Sequence, residues 1–327
     1  MPTVLVAPET LFNAPGRYRD LLLSSGFEVR YPPKGLFWSE ADTIQALEGA
    51  AAVIAAGEPY TERVVRSLPG LRVIARMGVG YDRVDVEAAT RSGVVLAVTA
   101  TTNHEAVAEV ALALILALAK RIVKVNREVR EGIWSRTPPE PLRGKTLGLV
   151  GVGRIARSLA KRAAALRMTV LGYDKYPDPA AARACGVELV DLDTLLARSD
   201  YLSLHAPLTP ETRGFAGRGV FSRMKPGSAL INTARGGLVV EEDLYQALRS
   251  GHLSGAGLDV FCEEPTPVTN PLLSLGNVIA LPHQAGVDAL SREEMAAESA
   301  QNIIDLHQGR WPEAAIVNRS LGSGWKW

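Results

Sequence analysis

Five histidines, His104, His205, His252, His283 and His307, are the candidate proton donors of this chain. An imidazole ordinarily titrates near pH 6.5 and can hand a proton to a carbonyl oxygen at neutral pH. His252 and His307 stand in polar contexts at predicted helix ends and read as solvated surface residues. His104 falls in the first turn of a predicted helix, where capping or packing suits it. His205 and His283 each follow a predicted strand, and open α/β sheets bind ligands beyond the carboxyl ends of their strands. Position alone does not choose between them. His283 lies in Leu281-Pro282-His283-Gln284-Ala285-Gly286, between a strand and a long final helix, where the chain must also pass between domains. Two further strand ends carry polar chemistry. Ile231-Asn232-Thr233-Ala234-Arg235-Gly236-Gly237 sets an arginine among small residues, which offers a planar fork to a carboxylate and leaves room for it. Leu258-Asp259-Val260-Phe261-Cys262-Glu263-Glu264-Pro265 adds acids. Neighbouring strand ends thus present a cation, an acid and an imidazole.

A fourth strand end predicts what would lie beside them. Leu147-Gly148-Leu149-Val150 runs into Gly151-Val152-Gly153-Arg154-Ile155-Ala156, a helical pattern follows to Leu166, and a second strand ends at Asp174. Gly151 permits a tight turn, Gly153 lets backbone amides approach a pyrophosphate, and small Ala156 lets the helix lie close to the strand. The amino end of that helix would face the phosphates. Asp174 follows Gly151 by 23 residues, near the ~20-residue offset at which an acid meets ribose hydroxyls. The same acid favours NAD over NADP. A 2′-phosphate charge ~4 Å from the carboxylate would be repelled by roughly 4 kcal/mol at an effective dielectric of ~20, which Lys175 offsets in part.

The elements that must position these groups follow from short β-branched runs alternating with helix-length stretches. Strands are expected over residues 3–7, 27–31, 52–56, 72–75 and 94–98, then over 146–150, 169–173, 187–190, 201–205, 228–233, 256–260 and 278–281. This order is that of parallel sheets covered by helices, and two α/β domains are its simplest account. Thr102-Asn103-His104-Glu105 resembles a capping box in which Thr102 and Glu105 satisfy the first free amides of a helix. The segment that follows is apolar all round, so the expected helix is buried on every side and wedged between the domains. Residues 291–307 should form a long helix returning to the first domain.

The 327 residues suggest two domains. With 36 Lys+Arg against 35 Asp+Glu, the net charge of +1 supplies neither a basic surplus for nucleic acid nor an acidic tail. Hydrophobic residues at 47% and charged residues at 22% exclude disordered and fibrous classes. Cys185 and Cys262 cannot build a disulfide framework and lack the partner spacing of a zinc site, so no metal is expected and a reducing compartment fits. The opening Met1-Pro2-Thr3-Val4 does not read as a secretory signal. The longest apolar run, 110–119, is half of the ~20 residues a membrane span needs. A cytoplasmic protein is expected.

Taken with Gly78-Val79-Gly80-Tyr81-Asp82, these segments make the chain resemble the D-isomer-specific 2-hydroxyacid dehydrogenases, the family that includes 3-phosphoglycerate dehydrogenase and hydroxypyruvate and glyoxylate reductases. The likeness covers nearly the whole chain. It implies two doubly wound parallel-sheet domains with a cleft between them: a flavodoxin-like substrate domain over 1–102 and 284–327, and a Rossmann NAD-binding domain over 103–283. It also implies a homodimer formed mainly through the nucleotide domain. On this resemblance Arg235 binds the 2-oxo acid carboxylate, His283 protonates the carbonyl oxygen as NADH delivers hydride, and Glu264 pairs with the histidine and favours its charged form. Substrate contacts are implied for Arg76 and for Gly78, Val79 and Gly80, whose amides would grip the carboxylate. Cofactor contacts are implied for Gly151, Gly153, Arg154, Ile155, Asp174, His205, Ala206, Pro207, Thr212, Thr233, Ala234, Asp259, Ala285 and Gly286, besides Arg235 and His283. Formate dehydrogenases share the pattern but carry glutamine as the histidine's partner, so Glu264 disfavours that activity.

The chain departs from phosphoglycerate-specific members in Ala55-Ala56-Gly57-Glu58-Pro59-Tyr60-Thr61, which lacks the arginine they use near the substrate phosphate. Glu58 is expected to repel a phosphate there. The expected substrate is therefore a small unphosphorylated 2-oxo acid such as hydroxypyruvate or glyoxylate, with D-3-phosphoglycerate dehydrogenase as the alternative within the family. An alternative of another class is an NAD(H)-sensing interaction protein like the transcriptional corepressors that resemble this family, although no basic surface or added tail supports it. The closing Ser320-Leu321-Gly322-Ser323-Gly324-Trp325-Lys326-Trp327 reads as a frayed tail or, alternatively, as a partner-subunit contact through its tryptophans.

Overall fold

In the computed structural model, which describes residues 1–33 and 39–327, all twelve expected strands form, and the ends move by at most two residues. Contacts divide the chain into two units, one of residues 1–103 and 287–327, the other of residues 104–286.

In the first unit β1 (Thr3–Val6), β2 (Glu28–Arg30), β3 (Ala52–Ala55), β4 (Val73–Arg76) and β5 (Val95–Val98) pair in parallel in the order β2-β1-β3-β4-β5. This is the flavodoxin-like order. Side chains alternate across the sheet. Val4, Val6, Ile54, Val73 and Ala75 face one core with Ala296, Ala300, Ile303 and Ile304 of the long helix Ala289–His307, whereas Leu5, Val53, Ile74 and Leu96 face another with Leu47, Val64 and Leu68. Both faces are covered, which is why these strands are almost wholly apolar. Asp288 caps the long helix by accepting from the Ser291 amide at 2.7 Å.

The tail is not frayed but held against the first unit. Trp325 Nε1 donates to the Gly93 carbonyl at 2.8 Å, the Arg72 guanidinium lies 5.3 Å from the Trp325 ring centre, and Arg72 donates to the Lys326 carbonyl at 2.7 Å. The Trp327 ring meets His307 edge-on at 4.7 Å and Phe27 at 5.9 Å. His307 is exposed, as expected, and its ring also meets Phe27 and Trp327 edge-on. Ring burial and a cation over an aromatic face outweigh the entropy that the glycines would otherwise gain by fraying.

In the second unit β6 (Thr146–Val150), β7 (Thr169–Tyr173), β8 (Glu188–Leu189), β9 (Tyr201–Leu204), β10 (Ala229–Asn232), β11 (Gly255–Leu258) and β12 (Val278–Ala280) form a parallel sheet in the order β12-β11-β10-β9-β6-β7-β8. The order reverses between β6 and β9, the position at which such folds bind dinucleotides. The helix His104–Ala119 belongs to this unit and covers β10 and β11. It is not buried on every side as expected: Ala106, Ala111, Leu114, Ile115 and Ala119 are buried, but Ala113 is exposed and Val110, Leu112, Leu116 and Ala117 are half-buried. A helix laid on a sheet buries one face however apolar the other is. The expected capping box is also absent. Glu105 instead accepts from Ser158 Oγ at 2.9 Å and pairs with Arg162 at 2.6 Å, and Thr102 Oγ1 has no hydrogen-bond partner. A long-range cation competes successfully with a local amide for the carboxylate. Among the described residues no helix is long and apolar enough to cross a membrane, and no cluster of side chains could hold a metal ion.

Candidate active site

The carboxyl ends of β10, β11 and β12 bring the three sequence-selected groups into one electrostatic unit. His283 Nδ1 lies 2.7 Å from Glu264 Oε2, and the other carboxylate oxygen accepts from the Phe261 amide at 2.9 Å. Both oxygens are thus committed, which fixes the plane of the carboxylate. Burial pushes the Glu264 carboxyl up, but the hydrogen bond and charge of His283, the Phe261 amide and the Arg235 guanidinium together hold it below its ordinary value. The histidine sits at φ +54°, a left-handed backbone that a side-chain-bearing residue adopts only when its surroundings enforce it. Those surroundings are Asp259: its carbonyl accepts from the His283 amide at 2.7 Å, and its two carboxylate oxygens accept from the Gln284 and Ala285 amides, each at 2.9 Å. Asp259 is 1% exposed, and burial raises its carboxyl despite those two amides.

Arg235 is held from the strand side. Asn232, wholly buried, donates to the Arg235 carbonyl at 2.9 Å and accepts from the Ala234 amide at 3.1 Å, an asparagine-closed turn. Arg235 Nη1 donates to the Ala234 carbonyl at 2.6 Å. Asn232 and the Phe261 amide are positioning groups that sequence reasoning did not single out. The signal for Asn232, a strand-terminal asparagine before small residues, was present; that for Phe261 was not, because an amide is carried by every residue type but proline.

His205 and His283 differ in their surroundings. The His205 imidazole, 2.9 Å from Ser203 Oγ, has its pKa pushed down to about 4 by burial. It stays neutral near pH 7, and among the described residues no acid is paired with it. The loop after it, Ala206 to Thr212, folds on itself: Thr212 Oγ1 donates to the Pro207 carbonyl at 2.7 Å and accepts from the Thr209 amide at 2.8 Å. His252, expected in solvent, is half-buried with Nε2 2.8 Å from the Phe221 carbonyl, and His104 Nε2 lies 3.2 Å from Glu105.

The glycine turn fits a dinucleotide. Gly151 has φ +88°, and a Cβ there would stand 2.9 Å from the His205 carbonyl carbon and oxygen, so the two strand ends at the order reversal meet only because no side chain intervenes. At Gly153 a Cβ would meet nothing within 4 Å, and the helix it opens, Arg154–Ala165, has no side-chain cap. Open space before uncapped amides suits a pyrophosphate. Asp174 is held ready at the end of β7, its Oδ2 accepting from Val152 and its Oδ1 from Tyr176, both at 2.8 Å. Each oxygen keeps a second lone pair for a ribose hydroxyl. Thr233 Oγ1 is buried without a protein partner, as a residue contacting a bound group would be. Ile155 packs partly into the core beneath the turn, Ala285 is buried, and Gly286 is half-buried.

In the first unit Gly78 takes φ +139° and its amide donates to Thr99 Oγ1 at 2.8 Å. Val79 is 43% exposed, and Arg76 Nε donates to the Gly80 carbonyl at 2.9 Å. Glu58, expected to confront a substrate phosphate, is 1% exposed. It cannot act as a surface charge: its Oε2 accepts from the Ala56 amide at 2.7 Å and the Arg76 guanidinium acts on it. The sequence showed an acid in a turn but not that the turn folds inward.

The profile of the D-isomer specific 2-hydroxyacid dehydrogenase, NAD binding domain, matches residues 112–285. D-3-phosphoglycerate dehydrogenase of Archaeoglobus fulgidus is 41% identical over 293 residues, 89% of this chain and 55% of that protein. Glyoxylate reductase of Korarchaeum cryptofilum is 40% identical over 271 residues, 81% of each chain. The chain therefore spans just over half the length of the first relative and most of the second. A solved protein from Thermus thermophilus, TT0316, is 39% identical at a TM-score of 0.87, covering 96% of this chain and 99% of that one. By profile, identity and fold together, this chain belongs to the D-isomer specific 2-hydroxyacid dehydrogenase family, with an NAD-binding domain in its second unit.

Proposed function

We propose that the protein is an NAD-dependent D-2-hydroxyacid dehydrogenase that reduces a small 2-oxo acid such as hydroxypyruvate or glyoxylate. The observation that carries this reading is the Glu264–His283 contact of 2.7 Å, with the Arg235 guanidinium acting on the same carboxylate. NADH, when bound, supplies a hydride to the carbonyl carbon. Gly151, Gly153 and Asp174 would hold it, with Arg154, Ile155, the His205–Pro207 segment, Thr212, Thr233 and Ala234 around it, and Asp259, Ala285 and Gly286 at the far end. His283, with Nδ1 committed to Glu264, carries the transferable proton on Nε2 and gives it to the carbonyl oxygen. Arg235 binds the substrate carboxylate through its fork. The amides of Val79 and Gly80 add a second grip from the substrate-binding part of the chain, residues 1–102 and 284–327, while residues 103–283 bind the nucleotide.

The lean toward an unphosphorylated acid rests on the stretch from Ala55 to Thr61, which contains no arginine. Initial rates with glyoxylate, hydroxypyruvate and 3-phosphohydroxypyruvate, each with NADH and NADPH, test the reading. Turnover of the small acids and a lower KM for NADH are expected. A far higher kcat/KM for the phosphorylated acid overturns the substrate, equal or reversed nucleotide preference overturns the Asp174 assignment, and tight NADH binding without turnover favours the nucleotide sensor.

A homodimer joined through the nucleotide-binding part is the second element of this proposal. In support, the helix Ile122–Arg130 has no buried residue, and Ile122, Val123, Val129, Ile133 and Trp134 are about half or more exposed, an apolar surface that a second copy would cover. A monomer mass by light scattering at micromolar concentration would remove it. A reducing compartment such as the cytoplasm suits the two free thiols, Cys185 and Cys262.

A further inference from the structure

We infer that Glu241 is a positioning residue that latches the loop carrying Glu264 to the segment carrying Arg235, and so keeps the Glu264 carboxylate on His283. The inference rests on the proposed function above. Residues 262–270 lie between β11 and the short turn Pro271–Ser274, and little packs them: Glu263, Glu264, Pro265, Pro267, Val268 and Thr269 are all exposed. A segment with so few buried apolar contacts opens locally at small cost. Polar bonds must therefore hold it if the 2.7 Å contact between Glu264 and His283 is to persist. Glu241, the first residue of the helix Glu241–Arg249, supplies them at both ends of the loop. Its Oε1 accepts from the Cys262 amide at 2.7 Å, and its Oε2 accepts from Asn270 Nδ2 at 2.8 Å.

Hydrogen bonds to a carboxylate are shorter and roughly twice as strong as those between neutral groups. Asn270 passes the restraint on. Its Nδ2 also donates to Thr266 Oγ1 at 3.0 Å, its Oδ1 accepts from the Leu272 amide at 3.0 Å, and its own amide donates to the Pro267 carbonyl at 2.9 Å. Glu264 thus stands midway between two tethered residues, Cys262 and Thr266. The latch reaches the arginine as well. Glu241 follows Arg235 along one segment, and between them Gly236 lies so close to the other segment that a Cβ would stand 1.9 Å from the Phe261 carbonyl carbon. The Cys262 thiol lies 3.5 Å from both the Gly236 and the Val239 carbonyl oxygens. Two strand-end segments far apart in sequence are thereby held together, one bearing the guanidinium and the other the carboxylate. Glu241 acts on the imidazole only through Glu264.

Glu241→Ala removes both bonds. The expected result is an alkaline limb of the reduction profile displaced to lower pH by about half a unit, part of what loss of the whole Glu264 carboxylate gives, with KM for the 2-oxo acid within about twofold and NADH Kd unchanged. Asn270→Ala keeps the Glu241 charge and cuts only the far bond, so it separates position from field and should move the limb the same way by less. Added to Glu264→Gln, Glu241→Ala should move the limb no further, because it acts through that carboxylate. Hydrogen exchange of the Phe261 amide, which donates to Glu264, reads the latch in the free protein without activity and should accelerate in both single variants. An unmoved limb and unchanged exchange in folded Glu241→Ala overturn the inference while wild-type turnover leaves the proposed function intact. A further displacement in the Glu264→Gln background overturns it too, since a direct field at His283 would survive the loss of Glu264. Should Glu241→Ala fail to fold, Asn270→Ala decides by the same two readouts. Failure of the wild-type protein to turn over any acid removes the proposed function, and exchange at Phe261 then decides alone whether Glu241 holds the loop.

Discussion

His283→Ala is expected to bind NADH normally and to lose on the order of 10² to 10⁴ in kcat for carbonyl reduction, the usual contribution of a positioned general acid. The substitution removes the one imidazole that is both paired with a carboxylate and placed beyond the carboxyl ends of the sheet. His205 cannot replace it, since burial pushes its pKa to about 4 and leaves it unprotonated in the working range. The nucleotide turn lies on other strands, so Kd for NADH measured by fluorescence should stay within about twofold of wild type, by the near-additivity of separate sites. Near-normal turnover would reject the proton-donor assignment. The companion variant Glu264→Gln refines the test. Its carboxyl is held below the ordinary value, so the stabilisation it contributes is present above that ordinary value and fades as pH falls through the lowered one. Without the carboxylate the imidazole loses its partner on Nδ1, with only Asp259 still acting on it, and the alkaline limb of the reduction profile should move to lower pH. A limb that stays in place would detach Glu264 from the mechanism.

Gly236→Ala should damage folding and catalysis together. A Cβ at this position would lie 1.9 Å from the carbonyl carbon of Phe261, 2.0 Å from its oxygen and 2.5 Å from the Cys262 amide nitrogen. These are backbone atoms, which no rotamer change can move aside. The two segments in contact carry Arg235 on one side and, three residues beyond Phe261, Glu264 on the other. Forcing them apart costs about 3 kcal/mol, at the upper end for overpacking in a buried site. For a unit of this size that corresponds to a fall of roughly 6 to 12 °C in the midpoint of thermal unfolding. The Phe261 amide that orients Glu264 moves with its segment, so kcat should fall even in molecules that remain folded. A melting midpoint within a degree or two of wild type would mean that the segments separate without resistance.

The strands and their order of appearance were legible in the amino-acid order, because period-two alternation and near-continuous apolar runs are local properties set by which faces must be buried. So was the nucleotide turn. Gly151, Gly153, Ala156 and Asp174 work through backbone freedom and spacing along one continuous segment, and spacing is written in the chain. Arg235, Glu264 and His283 could be selected by residue type and motif, but their convergence depends on β10, β11 and β12 lying side by side, a pairing between segments far apart in sequence. The readings that the fold reversed share this cause. Thr102 with Glu105 and the tail tryptophans were judged by immediate neighbours and are governed by partners distant along the chain, Arg162 with Ser158 and Gly93 with Arg72, while Glu58 is governed by burial that its local sequence does not show. Solvation behaves in the same way. Whether an ionisable group is held in water or taken out of it is fixed by all the elements around it, and so it took the folded chain to show that burial pushes the His205 imidazole down and the Glu58 carboxyl up.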